Sequence, residues 1–72
     1  MMTFDKVMFK ISLEIEKIIK ENRKIKDKEM AFYLDIKQDA YATMKHREVI
    51  PYKQIIEFCL QHNISINGVF ND

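Results

Sequence analysis

Apolar side chains recur at spacings of three and four along most of this chain, and the breaks between those runs divide it into helices. Phe4, Val7, Met8, Ile11, Ile15, Ile18 and Ile19 make one broad stripe. With Thr3 placed as a cap, the stripe predicts a first helix over about 3–22, fraying near Asn22 to Lys24. Phe9 and Leu13 stand off the stripe, so they either widen the buried face or touch another subunit. On the wet side, Glu14 with Lys17 and Glu16 with Lys20 lie at helical pairing distance. A basic connector follows, with Ile25 as its one apolar plug.

Met30, Ala31 and Leu34 then define a short second helix, 28–34, with Asp27 as its cap, and Ala40, Tyr41 and Met44 define a third, 38–46. Between them Asp35 has to take the turn, and aspartate tolerates the left-handed geometry better than most side chains. Ile36 returns to the core. Arg47-Glu48-Val49 reads as a loop closed by Ile50, a hydrophobic staple toward Ile55. Pro51 or Tyr52 opens a fourth helix, 51–62, because proline's missing N–H has no partner at that position anyway. That helix is expected to bury Ile55, Ile56 and Cys59, with Phe58 and Leu60 beside them, and to end at a left-handed Asn63. The tail 64–70 is either extended or a final turn capped by Ser65, and the short helix is the preferred reading. The expected fold class is all-α, with four to five short helices in a single domain spanning 1–72.

A helix, a tight turn and a second helix crossing at a steep angle form a unit with a known use in DNA binding. Composition supports compact helices: the chain is 47% apolar and 32% charged, with one glycine and one proline, which leaves little turn material for a sheet. A chain this short buries only roughly 60% of its unfolded surface, so a small core is often helped by a partner. The net charge of +1 is not strongly basic, but its distribution is uneven. Six basic residues stand against two acids between Lys17 and Lys28, and three against one between Lys37 and Arg47.

Catalytic chemistry finds little support. Cys59 is the only cysteine, so no intrachain disulfide forms, and a reducing cytoplasmic setting fits. Cys59 and His62 are three apart, but two ligands make no metal site, and Glu14 and Glu16 point to different sides of a helix. One glycine cannot build a phosphate loop, and nothing approaches the roughly 20 apolar residues of a membrane span. The start, MMTFDKV, carries no secretion signal. No enzyme, cofactor or metal is expected.

From Asp27 to Phe70 the chain resembles the amino-terminal DNA-binding domain of the lambda-repressor-like helix-turn-helix proteins, closest to the bacteriophage CI repressor branch. Met30-Ala31 matches that family's hydrophobic-Ala pair, and Leu34-Asp35-Ile36 its Leu-Gly-Val turn. Lys37 to Met44 is similar to the recognition helix, while His46-Arg47 and Ile50-Pro51-Tyr52 match the basic pair and the opening of the next helix. Asn63 to Phe70 resembles the closing signature. Asp35 replaces the turn glycine, Ala42 a serine that often touches phosphate, and Gly68 a large aromatic.

The resemblance implies a phage-type transcriptional repressor or regulator whose third helix enters the major groove of double-stranded DNA. Gln38, Asp39, Ala42 and Thr43 are then the base-reading candidates, with Gln38 matched to adenine N6 and N7. Asp39 suits cytosine N4, or serves only the helix start. Lys26, Lys28, Lys37, Lys45, His46, Arg47 and Tyr52 are candidate phosphate contacts, the two near the second helix start helped by its free N–H groups. The expected partner is a two-fold symmetric operator bound by a homodimer, paired through the first helix or through Val69 and Phe70. A protein-interaction module or an antitoxin-like accessory factor on the same fold is the alternative. Both a complete small regulator and one domain of a longer protein fit this length.

Overall fold

The computed structural model describes residues 2–71. Five helices follow in order: α1 (Phe4–Ile19), α2 (Asp27–Tyr33), α3 (Gln38–Arg47), α4 (Tyr52–Gln61) and α5 (Ile66–Phe70). Among the described residues there is no strand. α1 packs against α2 and α5, and α2 against α3. All five helices contribute to one core, in which Phe4, Val7, Ile11, Ile15, Leu34, Ile55, Phe58 and Cys59 are essentially closed to solvent. Ile25 seals the core from the connector between α1 and α2, as its isolation among lysines predicts.

Local chemistry explains where the helices begin. The Thr3 hydroxyl accepts the Lys6 N–H at 3.2 Å, and the Ser65 hydroxyl accepts the Gly68 N–H at 3.3 Å, so both are side-chain caps. At α2 the cap is Lys26 rather than Asp27, because the Glu29 carboxylate reaches back to the Lys26 N–H at 3.1 Å. Asp27 becomes the first helical residue. Pro51 is likewise the residue before α4, its carbonyl accepting the Ile55 N–H at 3.1 Å.

The helix ends share one device. Lys20, Asp35, Glu48 and Asn63 all adopt φ between 55° and 57°. In each case the next N–H bonds back five residues: Glu21 to the Glu16 carbonyl, Ile36 to Ala31, Val49 to Met44 and Ile64 to Cys59, at 2.9–3.1 Å. These are left-handed helix closures built without glycine. Asp35 and Asn63 take the places the sequence predicts. Lys20 stops α1 three residues short of the expected end, and Glu48 is a closure where a loop was expected.

The apolar face of α4 differs from expectation. Ile55, Phe58 and Cys59 point inward, whereas Ile56 is at the rim and Leu60 is exposed. Val69 is 2% exposed, so it belongs to the core and is not open for pairing with another copy. Phe70 is half-buried. The Lys10 ammonium donates to the Asn71 carbonyl, tying the end of α5 back to α1.

Tyr41 fastens α3 to this core: its ring meets Phe4 of α1 at 5.6 Å between centroids, tilted by 58°. Burial pushes its phenol up to about 12, with the charges of Asp27 and Asp5 adding to the effect. A raised phenol contributes stability that is complete below the unfolded value near 10 and is lost as pH rises through 12. Tyr41→Phe is therefore expected to retain more stability than the parent across that alkaline window. Urea midpoints measured at intervals of pH check this, and equal slopes for the two proteins would assign the alkaline loss to other groups.

Candidate nucleic-acid interface

α3 presents a continuous polar side. Gln38, Asp39, Ala42, Thr43, Lys45, His46 and Arg47 are all exposed, while Tyr41 is buried and Ala40 and Met44 are half-buried beneath. The spacing sets this division: Tyr41 and Met44 are one turn apart on the inner stripe, Asp39, Ala42 and His46 share the opposite side, and Gln38 and Lys45 flank the stripe. The turn before α3 takes only Leu34 to Lys37, with Leu34 buried and Ile36 packed against the core. It thereby fixes the approach of α3 to α2.

The side chains on that face differ in what they have free. Asp39 turns one carboxylate oxygen to the Ala40 N–H at 2.9 Å, the helix-start role that competes with base contact. The Thr43 hydroxyl donates to the Asp39 carbonyl at 3.0 Å. Its proton is thus committed within the helix, leaving the oxygen lone pairs and the methyl. The side chain of Gln38, at the first helical position, makes no hydrogen bond among the described residues, so both halves of its amide are available. Lys45 reaches Asp27 of α2 at 2.8 Å, and this contact raises its ammonium above the ordinary lysine value.

The start of α2 differs from the anion site the sequence suggests. Glu29 already takes the Lys26 N–H, and Arg23 clamps both Glu29 oxygens at 2.9 and 2.6 Å while also bonding Glu21. Hydrogen bonds from Arg23, then the Lys26 backbone, hold the Glu29 carboxyl down at about 2. Two carboxylates, Asp27 and Glu29, therefore stand at the start of α2 beside Lys26 and Lys28, and the Lys26 N–H is already taken. Part of the connector's positive charge is neutralised in the same way. Lys26, Lys28, Lys37, His46 and Arg47 nevertheless remain at the surface.

Phe32 is the feature that the sequence pattern left unremarked. It is 78% exposed on α2, edge-on to Tyr33 at 5.5 Å. With Lys28, Glu29, Tyr33 and Gln38 it lines a groove of about 390 Å³ between α2 and the start of α3. Its position off the Met30–Ala31–Leu34 stripe was the available signal. Tyr52, at the start of α4, is exposed with its ring 5.4 Å from Phe70. Among the described residues no three His, Cys, Asp or Glu side chains gather where a metal can sit. Nor, among the described residues, is any helix long and apolar enough to cross a membrane.

Five short helices, a four-residue turn between α2 and α3, and a polar α3 face anchored from below define a lambda-repressor-like helix-turn-helix domain. Residues 14–70 match the bacteriophage CI repressor helix-turn-helix domain family, and the chain belongs to it. That membership gives it a DNA-binding, regulatory role in general and not a catalytic one. Neither the curated proteins nor the solved structures returned a match.

Proposed function

We propose that this chain is a sequence-specific double-stranded DNA-binding regulator of phage type that lays α3 in the major groove, two copies sharing a two-fold related operator. The observation that carries this reading is the α3 face, whose polar residues are all exposed while Tyr41 is buried beneath them. In this arrangement Gln38 reads adenine through N6 and N7, and the methyl groups of Ala42 and Thr43 meet thymine methyls. Asp39 contributes least to base reading, because its carboxylate serves the helix start. Lys28, Lys37, His46 and Arg47 hold the flanking phosphates, with Lys26 and Tyr52 at the margins. Lys45 joins them only by releasing Asp27. One such unit contacts too few bases for useful specificity, which favours two copies on the operator.

Selection of bound duplexes from a random pool is the direct test, and it should return a two-fold related, A·T-containing site. Gln38→Ala should then relax preference at one base position per half-site, a discrimination worth about 1–3 kcal/mol. Arg47→Ala should weaken binding to every sequence and flatten the salt slope by about 0.9 for the phosphate it releases. An unchanged base preference in Gln38→Ala removes that residue from the reading set. Association that ignores salt would favour a protein partner on the same fold.

A further inference from the structure

We propose that the outer stripe of α4 is where two copies of this chain meet, antiparallel across a two-fold axis. Tyr52, Ile56 and Leu60 follow one another at four-residue intervals along α4 and are 56%, 36% and 68% exposed. Phe70 of α5 lies against the Tyr52 ring and continues the patch beyond the helix. Apart from that contact, these side chains are left open by the described residues, yet their spacing is that of a helix face built to be packed.

The charges beside the stripe identify the occupant. Lys53 and Glu57 form the row along its solvent side, and among the described residues neither makes an ion pair. A two-fold axis perpendicular to both helices sets this row against the same row of the second copy, running the other way. Lys53 then opposes Glu57 of the second copy, and Glu57 opposes its Lys53, while Ile56 meets Ile56 near the axis and Tyr52 meets Leu60. A parallel arrangement would instead turn the charged row toward the Tyr52 and Phe70 side. The outer side of α1 is a weaker candidate. It offers only Phe9 and Leu13, and antiparallel pairing there sets like charges together, Lys6 near Lys17 of the second copy and Lys10 near its own copy.

The surface is small. A stable interface takes about 800 Å² from each partner, and this stripe with Phe70 falls short of that, so pairing in free solution is weak and is completed on the operator. The inference deepens the two-fold reading given above, on which its biological sense rests, and it is tested without DNA so that the two fail separately.

The test is sedimentation equilibrium of the parent chain, of Lys53→Glu, of Glu57→Lys and of a 1:1 mixture of the two variants, with circular dichroism to verify that each is folded. The parent should dimerise with a Kd on the order of 100 µM. Each variant alone opposes like charges twice and should pair at least about tenfold more weakly. Their mixture opposes unlike charges twice, so heterodimers should form at the parent's strength. Charge pairing within one helix cannot produce that recovery on mixing. A parent that stays monomeric to about 1 mM, variants that pair like the parent, or a dimer dispersed by Phe9→Ser with Leu13→Ser and not by the α4 changes would overturn the proposal.

Discussion

Tyr41→Ala is expected to remove about 3–5 kcal/mol of stability, the range for truncating a large buried aromatic. A domain of this length has a total of only about 4–11 kcal/mol, so the variant sits close to unfolding at room temperature. The magnitude follows from position. The ring is 3% exposed and faces Phe4 across the junction of α1 and α3. No other α3 side chain is fully buried, since Ala40 and Met44 are each half-covered. With the ring gone, α3 is held mainly by its short turn to α2, and only Met44, one turn along, is left on the same helix to refill part of the space beneath it. Urea denaturation checks the expectation: with a slope of about 1 kcal/mol per molar for a small domain, the midpoint should fall by roughly 3–5 M. Gln38→Ala, on the exposed side of the same helix, should shift stability by no more than about 0.5 kcal/mol. A Tyr41→Ala midpoint within that same margin would show that α3 is anchored by something other than this ring.

The contrast between those two positions also marks what a linear reading of the chain can reach. Tyr41 inside and Gln38 outside follow from residue type combined with helical period, and the Thr3 and Ser65 caps and the left-handed Asp35 and Asn63 from residue type at helix ends, because each depends on residues within one turn. The pairs Lys45–Asp27 and Arg23–Glu29 were not legible, since they form only once the helices are placed. They matter for the candidate interface, because they place acids where free N–H groups and lysines were expected to receive phosphate. Ile56 and Leu60, expected inside and found exposed, and Val69, expected at a pairing surface and found buried, failed for a related reason. An apolar residue on a short helix is assigned to the core by pattern, but which apolar row faces inward depends on where α1 and α5 lie. Lys20 and Glu48 carry no local signal for a left-handed conformation. They occupy it because a back-reaching hydrogen bond closes each helix there.

Those two residues, with Asp35, lead to the second large effect: glycine at Lys20, Asp35 and Glu48 together should stabilise the domain by about 2 kcal/mol. An L-residue in the left-handed region loses roughly 1–2 kcal/mol to the contact between its Cβ and the carbonyl oxygen, and all three hold φ at 55–57°. Glycine removes that contact but costs about 0.5–1 kcal/mol in lost chain freedom on folding, which leaves a net gain at each site. The gain should be smallest at Asp35, because a short polar side chain tolerates the conformation. The three closures end different helices and share no partners, so their effects should add. For a domain this size each kcal/mol raises Tm by about 4–8 °C, so the triple variant should melt roughly 10 °C higher. The change also bears on DNA binding, since Asp35 sets the turn before α3 and Glu48 closes α3 itself. Because glycine accepts the same φ without altering the turn, the triple variant should keep the parent's operator preference while gaining heat resistance. A lower melting point would mean that these closures are unstrained as they stand, and a changed base preference would mean that the side chain of Asp35 or Glu48, not the turn alone, orients the reading helix.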